Sequence, residues 1–283
     1  MISPNRLPAQ PAVINGRRRR DGGRSMLIAV VSTLVFFSVI GWVIVSSPSW
    51  PLVQQDFFDA GVFWRYLPVI GSAFVTNIAL FLIAEALVLV LGLFIAVLRS
   101  LPGPVFFPVR LVAIAYADIF RGVPSLLIIY VLGFGIAGLG IPGVPNDPFF
   151  WAAVSLTLVY TAYVSEVYRA GIESIHPSQE AAARSLGLNR FQALRYVILP
   201  QAVRRVIPPL LNDFIGLQKD TVLVSYVGVV EAFRESSIIQ AAHFNATPYV
   251  ALALVFLVVT IPLARFTDWL VARDRRRFLA SAR

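Results

Sequence analysis

The sequence has no cysteine, a single lysine and few charges. Because cysteine is absent from all 283 residues, disulfides, thiolate metal sites and cysteine nucleophiles are excluded. Lys219 is the lone lysine and no G-x-x-x-x-G-K-[ST] loop precedes it, so the chain has no phosphate loop for ATP hydrolysis. Charged residues make up 14% of the chain and hydrophobic residues 58%, whereas about 25% charged is usual in soluble domains. The composition predicts a membrane protein.

Patterns typical of enzymes are also missing. Neither G-x-S-x-G nor H-E-x-x-H occurs. The histidines His176 and His243 fall in loops on opposite sides of the membrane in the topology described next, so they cannot form a paired metal site within one chain. We therefore expect no catalytic residue, no metal and no bound cofactor. A polytopic chain of this kind is most simply a transporter, a channel or a receptor.

Long apolar stretches predict an all-α polytopic membrane protein with about six transmembrane helices, since a crossing takes about 20 residues. The fifth stretch is interrupted by Pro208, Pro209 and a polar cluster. The first is interpreted as a retained anchor helix, because its apolar run exceeds the ~7 to 15 residues of a signal-peptide core and no Ala-x-Ala site follows it. The stretches are residues 26–45, 71–98, 123–139 (extended by 109–120), 149–167, 203–230 and 247–271.

Arginine is concentrated before the first span, between spans two and three and between four and five, and after the last span. Because Lys and Arg concentrate in cytoplasmic loops, both termini are predicted to be cytoplasmic. The predicted parts are a disordered basic tail (1–25), an anchor helix (26–45), a transmembrane domain (71–271) with a cytoplasmic loop (172–203), and a basic tail (272–283). The net charge of +9 then favours membrane lipid over nucleic acid as the partner of the Arg17 to Arg20 run.

The cytoplasmic loop contains QEAAARSLGLNRFQALRYVILPQA, residues 179–202. Pro177 suits a first helical turn, Gly187 can end a helix in the left-handed conformation, and Asn189 can cap a second helix. Pro200 is expected to end that second helix. The run therefore predicts a short, cationic helical hairpin. It is either an interfacial loop that binds anionic lipid or a docking element for a partner protein.

These residues resemble the inner-membrane permease subunits of binding-protein-dependent ABC importers, and among them the polar amino acid permeases. The family loop reads E-A-A, three residues, G, nine residues, I, one residue and L-P. The matching positions here are Ala181, Ala182, Ala183, Gly187, Leu199 and Pro200, with Val197 at the isoleucine. Further matches are FRGVP (120–124), YRAGIE (168–173), LPQA (199–202) and QKDT (218–221).

The resemblance covers about residues 71–271 and implies a type I ABC importer permease (MetI-like) core in a bacterial inner membrane. It implies that two permease subunits, identical or homologous, form the path, with two ABC ATPase subunits that bind Mg-ATP and an extracytoplasmic solute-binding protein. The loop would be the coupling helix that lodges in the ATPase. The residues it assigns to coupling are Gln179, Glu180, Ala181, Ala182, Ala183, Arg184, Gly187, Leu199 and Pro200.

One position departs from the family pattern. The family glutamate falls on Ala181, and Glu180 stands one residue earlier. A one-residue step turns a side chain by about 100° around a helix. Either Glu180 replaces the family glutamate from a shifted angle, or the partner ATPase has adapted.

Polar residues within the apolar spans are candidates for the translocation path, because ionisable groups at membrane depth usually face a cavity or one another. Glu85 lies deep in the second span, where the alternative is a helix-packing hydrogen bond with Asn77 or Thr76. For the cluster around Lys219 the alternative is a scaffold in which that lysine pairs with a carboxylate and fixes the two-subunit interface. The candidates are Glu85, Glu166, Asn212, Asp213, Gln218, Lys219, Asp220 and Thr221.

Two other classes of function remain open from the residues alone. In an ion-coupled secondary carrier or channel, the intramembrane carboxylates would carry the coupling proton. A non-transporting membrane scaffold or sensor is the other. The family resemblance favours an amino acid importer over both.

Overall fold

A computed structural model describes residues 17–281 of the chain, and among these residues it is helical with no β-strand. This confirms the all-α class. The helices are α1 (Arg17–Val45), α2 (Trp50–Phe57), α3 (Ala60–Arg99), α4 (Phe107–Gly122), α5 (Ser125–Tyr130), α6 (Pro148–Glu173), α7 (Pro177–Ser185), α8 (Arg190–Ala193), α9 (Leu199–Asp220), α10 (Ala232–His243) and α11 (Thr247–Ser281). The chain divides into two compact units, Met1–Gln55 and Asp56–Arg283.

The first unit contains α1, which begins earlier than the sequence predicts. Residues 17–25 were expected to belong to a disordered tail, but they form the first turns of α1. Arginine is a good helix former, and a helix that the apolar run has already nucleated can extend one residue at a time without a further nucleation penalty. The remainder of the predicted tail, residues 1–16, lies outside the described residues.

Within the described residues, four helical segments are long and apolar enough to cross a membrane, and a bent pair of helices can supply a fifth. The bent pair joins α4 to α5 and its π-helical extension at an angle of 105°. The break falls at the Val123-Pro124 step, where proline disfavours the helical conformation of the preceding residue. The segments are Arg24–Val45, Trp50–Arg99, Pro148–Glu173, Thr247–Arg273 and the pair Phe107–Gly122 with Ser125–Ile136.

The predicted fifth span, residues 203–230, differs from the expectation. It is too polar to be among the spanning candidates, and α9 runs without interruption through Pro208 and Pro209. The irregularity comes later, in a 3-10 helix over Thr221–Val227 that ends at Gly228 with a φ of 93°. The two prolines are accommodated inside the helix, so the expectation that they break it is wrong.

The core of the second unit lies where α3, α6 and α9 pack together, with α10 and α11 against the first half of α3. Small residues allow this close packing. Gly92 of α3 faces Val164 of α6, and a Cβ added there would stand 2.7 Å from the valine Cγ1. Gly133, one of the glycines after α5, packs in the same way on Val227.

Candidate functional site

Residues 176–198 form the helical hairpin that the sequence predicts. His176 caps α7 by accepting the Ser178 N–H at Nδ1 (3.2 Å). Gly187 takes a φ of 86° and ends the first helix. Asn189 and Gln192 then form a reciprocal capping box at the start of α8, with both bonds at 2.9 Å. The local sequence signals therefore fix the turn between the helices.

Pro200 does not end the second helix, which corrects the expectation from the sequence. The α8 helix continues through a π-helical stretch, Leu194–Ile198, directly into α9. Proline lacks an N–H and its ring crowds the carbonyl four residues earlier, and the wider π-helical turn accommodates both effects. The second helix of the hairpin is therefore continuous with α9.

The hairpin exposes an apolar tip flanked by arginines. Leu186 is 84% exposed and Phe191 is 68% exposed, and Ala181 and Ala182 are exposed on α7. Ala183 is buried against the second helix. The other assigned positions Gln179, Arg184, Gly187, Leu199 and Pro200 are exposed.

Glu180 does not share that outward face. It is half-buried and lines a cavity of about 310 Å³ whose wall also includes Arg190 and His176. Ala181, at the family glutamate position, is the residue that faces outward.

Glu166, a predicted path residue, is instead the centre of an ion-pair cluster. Its carboxylate accepts from Arg99 at 2.8 Å, is paired with Arg169, and lies 3.6 Å from Arg121 of α4. Arg169 also pairs with Glu173. Because the Arg99 side chain is only 9% exposed, this cluster joins the ends of α3, α4 and α6 in a partly desolvated setting.

Asp213 and Glu85 form a contrasting acidic pair. Asp213 Oδ2 is buried and has no hydrogen-bond partner among the described residues. Its charge acts on Glu85, and no hydrogen bond or ion pair joins Glu85 to the part of the chain that the structure describes. The alternative reading of Glu85, a packing hydrogen bond with Asn77, is not formed in the described chain, because Asn77 bonds elsewhere.

The Asp213 side chain lines a cavity of about 370 Å³ between α4, α6 and α9. Arg121 and Arg205 bring positive charge to the same cavity, and Tyr163 adds an aromatic hydroxyl. A volume above 300 Å³ is in the range of small-molecule sites. The cavity thus offers both signs of charge at its wall.

The remaining candidates of α9 divide into buried and exposed groups. Gln218 is 1% exposed and accepts from Thr260 at 3.1 Å, and Asp220 accepts from the Tyr160 hydroxyl at 2.9 Å. Lys219 and Asn212 are exposed, and Lys219 forms no ion pair with the side chains of residues 24–273. The alternative in which Lys219 pairs with a carboxylate at a two-subunit interface therefore stays open.

Glu231 was missed by the sequence reasoning. It is fully buried, caps α10 through the N–H groups of Phe233 and Arg234, both at 2.9 Å, and accepts from Asn77 at 2.9 Å. Asn77 also donates to Thr221 at 3.1 Å, which places that candidate in the same network. A carboxylate directly before a helix, following an apolar run and Gly228, is the signal that could have identified this cap.

Comparison with known proteins places these features in a family context. A family model described as the inner membrane component of binding-protein-dependent transport systems matches residues 89–276. A probable glutamine ABC transporter permease protein, GlnM, from Bacillus subtilis is 35% identical over 67% of this chain and 85% of its own length. The arginine transport system permease protein ArgU of Corynebacterium glutamicum is 30% identical over 91% of this chain and 82% of its own length.

A solved structure is similar in fold as well as in sequence. A chain of a crystal structure titled as an amino acid ABC transporter with histidines has a TM-score of 0.69 and is 31% identical, over 76% of this chain and 98% of that chain. A chain of the inward-facing MetNI methionine transporter, at 18% identity and a TM-score of 0.59, shares the fold.

Proposed function

This chain belongs to the family of inner membrane components of binding-protein-dependent transport systems, and from that premise we propose that it imports an amino acid through a path that includes the cavity at Asp213. The chain is the permease subunit of an ABC transporter and not an enzyme, and the ATPase is a separate subunit. The similar proteins named for glutamine and arginine support an amino acid as its substrate.

The charges of the cavity match the chemistry common to all amino acids. An α-amino acid carries an ammonium group and a carboxylate group on the same carbon atom. The cavity wall likewise combines a carboxylate, Asp213, with the guanidinium groups of Arg121 and Arg205. The unpartnered Asp213 Oδ2 is the observation that carries this proposal, because a buried carboxylate oxygen without a partner is costly unless a ligand or a second charge reaches it. Glu85 is a second carboxyl group near Asp213.

A matched pair of variants tests the ligand role of the acidic pair. Asp213→Asn and Glu85→Gln keep the side-chain shapes and remove the charges. We expect slower uptake with a raised half-saturating substrate concentration, whereas Arg265→Gln, in a 3.9 Å exposed pair with Asp268, serves as a charge-removal control. Unchanged transport rate and substrate preference in both acidic variants would refute the ligand role.

The hairpin fits the role of the element that couples transport to a partner ATPase. Its exposed apolar tip at Leu186 and Phe191 is suited to insertion into a protein groove. Its unbroken continuation into α9 offers a rigid connection from that groove to Asp213. Gly187→Pro and charge reversal at Arg184 or Arg190 are expected to leave ATP hydrolysis without transport, measured as the ratio of ATP consumed to substrate taken up.

A second permease subunit accounts for the exposed polar face of α9. Asn212 and Lys219 are seven residues apart along α9 and are both exposed, so they share one face of the helix. Lipid would disfavour that face, and a second permease subunit, identical or homologous, would cover it. Crosslinking between cysteines introduced at Asn212 of both permeases is expected, and failure to crosslink in the assembled complex would contradict this arrangement.

Uptake measurements decide between the importer and an ion-coupled carrier. The chain would be reconstituted with its co-purifying ATPase subunits and the amino-acid-loaded binding protein, both termini of the permease being on the ATPase side. We expect uptake with ATP, no uptake with a non-hydrolysable analogue, and no uptake from a proton or sodium gradient alone. Gradient-driven uptake without ATP would support the carrier and reject the importer.

A further inference from the structure

Phe244 lies in the turn between α10 and α11 in a backbone conformation that L-residues rarely adopt. Its φ is 50° and its ψ is 41°, in the left-handed region where the Cβ crowds the following carbonyl oxygen. The other five positive-φ residues of the described chain are all glycine. The sequence supplies glycine at each other position of this kind, yet it keeps an aromatic residue here.

The turn around Phe244 is held firmly on both sides. Before it, His243 Nε2 lies 2.5 Å from the Tyr66 hydroxyl. After it, the Ala246 N–H donates to the Asp56 carbonyl at 2.8 Å, and the fully buried Thr247 donates to the same carbonyl at 3.2 Å. These bonds attach the turn to residues at and before the start of α3, so the strained conformation is imposed by its surroundings.

The ring that this turn presents has no role in packing. Phe244 is 87% exposed, the highest value for any large apolar side chain in the described chain. A residue that served only the turn would be glycine or asparagine, which adopt the left-handed conformation with less strain. A residue that served the core would be buried. An exposed ring on a firmly held turn is suited to a contact outside this chain.

We propose that Phe244 is an anchor on which the extracytoplasmic solute-binding protein docks, with the ring entering an apolar recess on that protein. This inference rests on the proposed function, which places the α10–α11 turn at the membrane face opposite the hairpin. An exposed aromatic side chain on a rigid support loses little conformational freedom on binding, and such residues dominate interface energies. The competing occupant is the lipid interface, where aromatic residues are also common.

The test uses the assembled transporter in lipid nanodiscs, titrated with the purified, amino-acid-loaded binding protein. Phe244→Gly removes the ring and also relieves the backbone strain. We expect the half-saturating binding-protein concentration for ATPase stimulation to rise about tenfold or more, while the maximal rate is kept and the thermal midpoint is unchanged or higher. Phe244→Tyr should stay within about twofold of the unmodified protein.

Val105→Asn provides the matched control, because Val105 is 83% exposed and lies in the α3–α4 loop on the opposite face in the proposed topology. It should leave the half-saturating concentration unchanged. An unchanged concentration in Phe244→Gly would overturn the proposal and assign the ring to lipid, and a loss of thermal stability in that variant would assign it to the fold. If the unmodified transporter is not stimulated by any binding protein, the importer function itself fails, which is a separate result.

Discussion

Two carboxylates of the helical core, Glu166 and Asp213, differ in the number of partners that surround them. Glu166 is surrounded by Arg99, Arg121 and Arg169. Asp213 lines the same cavity as Glu166, yet its Oδ2 has no hydrogen-bond partner among the side chains that the structure describes, those of residues 24–273. Both residues look alike in the sequence, as acidic residues within predicted spans.

On the proposed function, the number of partners, and not depth along the helix, separates a carboxylate that stabilises the fold from one that contacts the substrate. An acidic group held by three arginines has little capacity left for a ligand, and removing a partner damages the fold. An acidic group without a partner contributes nothing favourable to the fold, so its retention needs a ligand or a second subunit. Each prediction below tests one side of this contrast.

Arg99→Ala should have the largest effect on stability. It leaves Glu166 without its most buried partner, and the expected loss is about 2 kcal/mol, below the ~3–5 kcal/mol of a fully buried pair because Arg121 and Arg169 remain. The thermal midpoint of the detergent-solubilised protein measures it. Arg265→Ala, in an exposed pair, should change the stability by only ~0.2–1 kcal/mol, and equal losses in both variants would contradict the account.

Removing the Glu231 carboxylate should also lower the stability, by somewhat less than Arg99→Ala does. Glu231→Ala leaves two helix N–H groups without an acceptor and removes one of the two acceptors of the Asn77 amide, and each unsatisfied group costs about 1–3 kcal/mol before water replaces the lost bonds. We expect a net loss of about 1–2 kcal/mol. Glu231→Gln should recover part of it, since an amide oxygen still accepts. No recovery with glutamine would show that the charge, and not the cap, is required.

Asp213→Asn should separate transport from stability. Uptake is expected to fall about tenfold, equivalent to about 1.4 kcal/mol, with a thermal midpoint that is unchanged or raised, because an unpaired charge is removed. Initial uptake rates and thermal midpoints from one preparation check this. A lowered midpoint would mean that Asp213 has an architectural partner.

Ala181→Glu should have the smallest effect. Ala181 is exposed on α7 and its replacement restores the family residue without contact with the core. We expect coupling and stability to remain within about 0.5 kcal/mol of the unmodified protein. In contrast, Glu180→Gln alters the cavity that Glu180 lines together with Arg190. This variant tests whether the Glu180 carboxylate stabilises the hairpin. If Ala181→Glu abolished transport, the outward position of residue 181 would be wrong.

Local signals in the sequence predicted the hairpin better than they predicted the site in the membrane. The turn at Gly187 and the cap at Asn189 depend on neighbouring residues only, so their pattern was sufficient. The effect of Pro200 depended on a π-helical stretch that no local pattern indicates. Which carboxylates are paired depends on helices far apart in the chain, as Arg99 and Glu166 show, and hydropathy alone does not contain that information.

The most direct test of the contrast compares Asp213→Asn with Glu166→Gln in one reconstituted transporter. Initial amino acid uptake and the thermal midpoint would be measured for both variants and the unmodified complex. The account predicts a crossover, in which Asp213→Asn loses uptake and keeps its midpoint, whereas Glu166→Gln lowers the midpoint and keeps uptake per folded molecule. Loss of uptake and of midpoint together in both variants would contradict it.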